Sequence, residues 1–217
     1  MGVKTPSPDL SFELSLWQRG LTAVAGLDEA GRGAWAGPVA AAAVVLPPEP
    51  GIAERLCGVR DSKQMTPLAR RRWAGIVREN AVAWGVGFAS NLEIDNLGIL
   101  LATRLAMQRA LEGCAAAGPA HLLIDALRLP GIPLPQTALI KGDARVLSIA
   151  AASVLAKTAR DALLEELDSV YPGYGFARHK GYGTAAHQAA LESLGPCLIH
   201  RFSFAPVRRL NHGEHEE

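Results

Sequence analysis

The feature that most constrains this chain is a pair of apolar runs, residues 24–27 and 39–46, separated by residues 28–38, which open with Asp28, Glu29, Ala30, Gly31, Arg32 and Gly33. The first run, VAGL, delivers two adjacent carboxylates, and a glycine-flanked turn follows at once. This reads as strand, acidic edge, tight loop and strand. Successive side chains of a regular strand point to opposite faces, so Asp28 and Glu29 share a site only where the strand ends, and the turn from Ala30 supplies that end. Two carboxylates without a cation between them repel, and a hard divalent ion is the usual remedy. Gly31 and Gly33 let backbone N–H groups approach a ligand that a Cβ would hold away. Arg32 between them offers a planar guanidinium suited to phosphate.

The chain has 217 residues, 49% of them hydrophobic and 20% charged, which suits one compact domain with a real core. Much of the apolar fraction is alanine, so helices and strands are expected to approach closely across small side chains. No run nears the ~18 apolar residues of a membrane helix. The first twenty residues carry Pro6, Pro8 and acids and lack the apolar segment of a secretory signal. Cys57, Cys114 and Cys197 stand far apart with no CxxC pair, which supports neither a disulfide framework nor a zinc site and makes the reducing cytoplasm the expected compartment. The formal charge of +1 neither advertises nor excludes nucleic acid. Basic residues gather at 70–72 with Arg78, at 178–180, and at 200–201 with 208–209; such clusters are usually solvated surface.

Residues 1–17 read as a mobile leader, 18–210 as one domain, and 211–217 as a disordered tail. Thr66 and Pro67 open a helix to residue 80 whose arginines lie on the outer face. Residues 81–88 alternate Val82, Trp84, Val86 and Phe88 against alanine and glycine, a strand with one well-covered face. Ser90 and Glu93 form a capping box, and an amphipathic helix runs on to about residue 117. A strand at 121–124 delivers Asp125, and another at 137–140 leads into Lys141, Gly142 and Asp143. A long helix over 149–170, a Gly/Tyr-rich loop, a Thr184-capped helix to residue 194 and an irregular basic segment complete the chain. Strands alternating with helices imply a layered α/β domain with a sheet that is at least partly parallel.

Three apolar strands thus end in acid: Asp28 with Glu29, Asp125, and Asp143. Taken singly, each serves as well as a turn former or helix cap. Together, at strand ends where α/β sites gather, they favour a metal site. Four carboxylates without histidine suit Mg²⁺ or Mn²⁺ rather than Zn²⁺. Such a site most naturally serves phosphodiester chemistry, in which two ions activate a water and stabilise the leaving oxygen.

These residues resemble the ribonuclease HII family over about residues 23–210. The most specific piece is DEAGRG at 28–33, continued as AGPV at 36–39. Further pieces are DSK at 61–63, the LIDA strand end at Asp125, KGD at 141–143, AAASVLAKTARD at 150–161, YPGYGFARHKGYGT at 171–184 and HRFSFAPVR at 200–208. The resemblance implies a ribonuclease H-like fold: a mixed central sheet flanked by helices, with a helical C-terminal part over about 171–210. It implies that Asp28, Glu29, Asp125 and Asp143 hold two divalent ions, Mg²⁺ or Mn²⁺. It places Gly31, Arg32 and Gly33 against the 2′-hydroxyl region of a ribonucleotide, Lys63 on a phosphate, and Tyr182 in a stack near the RNA–DNA junction. A 2′-hydroxyl is what separates RNA from DNA, and backbone at a glycine-flanked turn can reach it. The chain departs from the family at Ala126, usually glycine, and at Ala34 and Trp35, usually proline and leucine.

The expected activity is hydrolysis of the RNA strand of RNA–DNA hybrids and incision 5′ of ribonucleotides embedded in duplex DNA, leaving 3′-hydroxyl and 5′-phosphate ends. The expected partners are those nucleic acids alone, with no membrane, and the expected state is a monomer. A DNA-cutting metal nuclease and a non-catalytic hybrid-binding module are the competing readings; the second would bind with strong salt dependence and no metal-dependent turnover.

Overall fold

The structure is a computed structural model and describes residues 7–211. Five strands form one mixed sheet in the order β3-β2-β1-β4-β5: β1 (Val24–Ala30), β2 (Val39–Val45), β3 (Ala83–Ala89), β4 (His121–Asp125) and β5 (Gln136–Leu139). The first three are antiparallel neighbours, whereas β4 runs parallel to β1 and β5 parallel to β4. Before β1 lies α1 (Ser11–Trp17); α2 (Ile52–Arg55) and α3 (Pro67–Asn80) follow β2; α4 (Asn91–Leu97) and α5 (Ile99–Glu112) follow β3. After β5 come α6 (Leu147–Val170), α7 (Phe176–His179), α8 (Ala185–Leu194) and α9 (Ala205–Asn211), the last three forming the helical C-terminal part.

Strand β2 is buried throughout. Its Ala42 and Val44 face the cluster built on α6, while Val39, Ala41, Ala43 and Val45 face the cluster built on α5. Two helices therefore sandwich the sheet, and small side chains set how near they come. A Cβ on Gly26 of β1 would lie 2.3 Å from the backbone of Ser148, so α6 rests directly on that strand. On the other face the close approach is at β3, where Gly85 and Gly87 are buried against α5. This corrects the expected covered face of β3. Trp84 is 39% exposed, because the large side chains alternate away from the helix that the glycines admit.

The N-terminal segment also departs from expectation. Residues 11–17 form α1, with Leu10 and Leu16 in the core. Asp9 bridges to Val146, and the buried Glu13 carboxylate accepts the Ser148 N–H at 2.8 Å. An acid in this position satisfies an orphan donor in the first turn of α6, which the leader's composition did not disclose. Residues 1–6 and 212–217, parts of the expected leader and tail, lie outside the described residues. The helix expected up to residue 117 is divided at Gly98, whose φ of +78° ends α4 and begins α5. Nor do all the arginines of α3 face outward. Arg70 is buried, donating to the Ser62 carbonyl at 2.7 Å and to Asp161 at 3.1 Å. The basic C-terminal segment, expected to be irregular, folds from Ala205 into α9.

Candidate active site

Asp28 and Glu29 do not sit at a simple strand end. Strand β1 continues to Ala30 along β2, but its pairing with β4 stops at Leu27 opposite Ile124. The carboxylates thus occupy a one-sided edge, beside the point where β4 ends in Asp125. Asp143 follows in the turn after β5, just before α6. Asp28 is buried beneath this edge and accepts the Glu29 N–H at 2.7 Å; Glu29 accepts from the Arg32 guanidinium at 3.2 Å.

The electrostatics show that the four acids are neighbours. Burial, then the charges of Glu29 and Asp125, push Asp28 well above the usual carboxylate range, although the Ser153 hydroxyl pulls the other way. Burial also raises Glu29, with Asp125 adding to it and Arg32 opposing. Burial, Asp61 and Asp125 raise Asp143. Burial works against the Lys63 ammonium, yet Asp28, Asp143, Asp61 and Glu29 together hold its pKa above the ordinary lysine value. Its Nζ stands 3.9 Å from Asp143 Oδ2. The site carries an excess of negative charge that one lysine and Arg32 only partly offset.

The donor set suits a hard divalent ion. Glu29 Oε2 is buried without a hydrogen-bond partner, an exposed need that a cation would meet. Among the described residues, however, no three acidic, histidine or cysteine side chains stand close enough to hold an ion unaided.

The glycine-flanked turn is held from beneath by two arginines that sequence reasoning did not single out for the site. Arg201 donates to the carbonyls of Gly31 (2.8 Å), Arg32 (2.9 Å) and Gly37 (2.9 Å). Arg160 donates to those of Pro38 (2.8 Å), Lys180 (2.8 Å) and Ala36 (3.0 Å). Both are 0% exposed. Burial, then Arg160, lowers Arg201 to about 9, so it stays charged at neutral pH. Six carbonyl dipoles disperse the two charges, as buried cations require. The only sequence signal was an arginine set among aromatics in HRFSF, which reads equally as surface.

Tyr182 lies across from this turn, bridged to Ala34, with Arg160 and Lys157 each over its ring at 5.4 and 5.3 Å from the centroid. Trp35, the bulky departure from the family pattern, packs against Gly183 and tilts on His187 with ring centroids 5.5 Å apart. Among the described residues, Ala126, Lys141 and Lys180 are the non-glycine residues with positive φ, at +51°, +55° and +53°. Each lies within two positions of Asp125, Asp143 or Tyr182, the kind of local strain that clusters at functional sites. The structure thus brings Asp28, Glu29, Asp125, Asp143 and Lys63 together, and sets Gly31, Arg32, Gly33 and Tyr182 on an adjoining wall.

The mixed sheet gathers carboxylates at the ends of β1 and β4. The crystal structure of a ribonuclease H2 from Pyrococcus horikoshii has the same fold, with a TM-score of 0.68 at 26% identity over 86% of this chain and 96% of that one. The family model for Ribonuclease HII matches residues 25–207, and the chain belongs to that family. It is 56% identical to a ribonuclease HII of Halorhodospira halophila over 88% of this chain and 96% of that protein. It is 54% identical to one of Chloroflexus aurantiacus over 92% of this chain and 94% of that protein. The protein is a divalent-metal-dependent endoribonuclease acting on RNA–DNA hybrids. Among the described residues, no helix is long and apolar enough to cross a membrane.

Proposed function

We propose that the protein cleaves the RNA strand of hybrids and also incises 5′ of single ribonucleotides in duplex DNA, leaving 3′-hydroxyl and 5′-phosphate ends. Asp28, Glu29, Asp125 and Asp143 hold two divalent ions, Mg²⁺ or Mn²⁺. The carrying observation is the unpartnered, buried Glu29 Oε2 among acids whose pKa values burial raises, with the charge of Asp125 adding to the rise at Asp28, Glu29 and Asp143. When bound, the ions supply an activated water and offset charge on the leaving oxygen. An open carboxylate cluster suits Mg²⁺, which commonly completes its shell with water and substrate phosphate.

The remaining roles belong to the chain itself. Lys63, on the short turn at Ser62–Gln64, binds a phosphate at the rim of the acids. Gly31 and Arg32 commit their carbonyls to Arg201, which leaves the amide side of the turn, around exposed Gly33, for a ribose 2′-hydroxyl. Tyr182 stacks at the junction where RNA gives way to DNA. On this reading the protein serves ribonucleotide and primer removal during DNA replication and repair, acting as a monomer in the cytoplasm.

A labelled DNA duplex carrying one ribonucleotide, incubated with Mg²⁺ or Mn²⁺, tests this directly, with EDTA, an all-DNA duplex and an RNA–DNA hybrid as controls. Metal-dependent incision 5′ of the ribonucleotide with the all-DNA duplex uncut is expected. Cleavage of the hybrid alone would remove the single-ribonucleotide claim, and comparable cleavage of all-DNA duplex would remove the role of the glycine-flanked turn.

A further inference from the structure

The C-terminal part contains three histidines that the catalytic reading leaves without a task. His187 and His200 are fully buried and His179 nearly so. Cys197 stands alongside, and all six ring nitrogens already have protein partners. Those partners dictate where each proton sits. The Tyr182 carbonyl can only accept, so His187 Nδ1, 3.0 Å away, must donate. In a neutral ring the other nitrogen then accepts, and His187 Nε2 lies 3.0 Å from His200 Nε2, which must therefore carry its own proton. His200 Nδ1 is left to accept, and the Cys197 N–H points at it from 2.9 Å. The proton order runs one way, from the Cys197 amide through His200 and His187 to the Tyr182 carbonyl.

His179 completes the grip. Its Nε2 donates to the Tyr174 carbonyl at 2.7 Å, so its Nδ1 accepts the Gly181 N–H at 3.2 Å. It stacks on His187 with ring centroids 4.4 Å apart. One histidine thus holds the amide of Gly181 and its stacked neighbour the carbonyl of Tyr182. Because Lys180 and Gly181 both adopt positive φ, this segment needs such external fixing to hold its shape.

We propose that His187, oriented by His200, is a positioning residue that fixes the backbone of Tyr182 and so aims its ring at the substrate junction. This rests on the reading of Tyr182 as a substrate contact. Burial lowers both His187 and His200 to about 4, which keeps the pair neutral at pH 7, as the relay requires. Protonating His187 at Nε2 would oppose two N–H groups at its contact with His200, and protonating His200 at Nδ1 would oppose the Cys197 N–H, so either event breaks the relay.

Two experiments test it. In ¹⁵N-histidine-labelled protein at pH 7, NMR should show His187 as the Nδ1–H tautomer and His200 as the Nε2–H tautomer, with a scalar coupling across the N–H···N bond. The reverse tautomers, or an imidazolium in either ring, would overturn the relay without any variant having to fold. The second measures single-turnover cleavage of a DNA duplex carrying one ribonucleotide by His187→Leu, His187→Asn, Tyr182→Ala and the Leu/Ala double variant, each checked by thermal melting. Leucine and asparagine have similar shapes, but the asparagine amide restores a donor near Nδ1. His187→Leu should slow cleavage about five- to tenfold, the scale of one buried hydrogen bond, and His187→Asn should regain most of it. Added to Tyr182→Ala, the leucine change should lower the rate by less than about twofold, because both act through one group. Full additivity, or equal slowing by leucine and asparagine, would reduce His187 to a structural residue. Wild-type cleavage by Tyr182→Ala alone would instead remove the substrate contact on which the proposal rests, and that result is visible in the single variant.

Discussion

Asp125 Oδ1 accepts the backbone N–H of Gly142 at 2.7 Å, so the acid at the end of β4 is tied to the turn that carries Asp143. A Cβ at position 142 would stand 2.7 Å from Ile149 Cδ1 and 3.4 Å from Asp125 Oδ1. Two acids that are 18 positions apart in sequence are thereby held by one charge-assisted bond between adjacent parallel strands. The other two are brought in by β1. The geometry of the candidate site is a property of strand order, and the predictions below test its separate parts.

Asp28→Asn removes the most deeply buried of the four clustered acids while keeping its shape. Cleavage should fall by on the order of 10³ or more, as for groups that act as a unit. The metal-free variant should melt at a higher temperature than the wild type at pH 7. The folded-state pKa of Asp28 lies above its unfolded value, so its ionisation opposes folding. That penalty is absent below the unfolded pKa and grows as pH rises through the folded one. Calorimetry in EDTA at pH 7 measures the gain, and a lower melting temperature would contradict the electrostatic account.

Ala126→Gly should stabilise the protein by about 1 kcal/mol, because a left-handed alanine carries a penalty of roughly that size. Ala126 has φ +51° and follows Asp125 directly. For a chain of this length the change corresponds to a rise of about 2–4 °C in Tm. Cleavage should be retained. Unchanged or reduced stability in a denaturant titration would show that the loop relieves the strain elsewhere.

Gly31→Ala and Gly33→Ala should separate cleanly, although the two glycines look equivalent in sequence. Gly31 has φ +92°, and a Cβ there would meet Arg160 Nε at 1.9 Å. Nothing lies within 4 Å of a Cβ at Gly33. Gly31→Ala should therefore lower both stability and activity, whereas Gly33→Ala should melt like the wild type and lose only substrate affinity. Equal melting temperatures for the two variants would refute the clamp by Arg160.

Glu93→Gln probes the base of α4, far from the acids. The Arg109 hydrogen bond, with that of the Ser90 N–H, holds the Glu93 carboxyl down to about 2. A depressed acid contributes stability that is present above its unfolded pKa and lost as pH falls through the folded value. The variant should be less stable than the wild type at pH 7 by about 1 kcal/mol, a figure discounted for a side chain one-third exposed to solvent. The gap should narrow as pH falls from about 4.5 towards 2. A gap independent of pH would assign the effect to packing.

Much of the element plan was legible because it depends on local chemistry. Thr66 caps α3 and Thr184 caps α8, as their spacing from proline and from the first helical turn indicates. The Ser90–Glu93 capping box forms with both of its bonds. The apolar runs that deliver Asp28, Asp125 and Asp143 are strands or lead out of one. Local pattern failed where distant parts of the chain decide the answer. The large residues of β3 looked like its buried face, but α5 packs on the glycines instead.

The same division holds for the site. By itself, the sequence determined which residues are candidates for the chemistry: four carboxylates behind apolar runs, a glycine-flanked arginine, and a family pattern dense enough to name a class. Tertiary structure alone decided how they are held. Arg201 and Arg160 read as ordinary basic residues until the fold buries them under six carbonyls from the 31–38 turn and Lys180. Glu13, in an apparent leader, reaches the first turn of α6, and three scattered histidines join in one stacked and hydrogen-bonded cluster beside Tyr182. A carboxylate's identity is fixed by its own covalent structure, whereas the environment that shifts its pKa or spends a guanidinium's donors is built from contacts across more than a hundred residues. Only the folded chain contains those contacts.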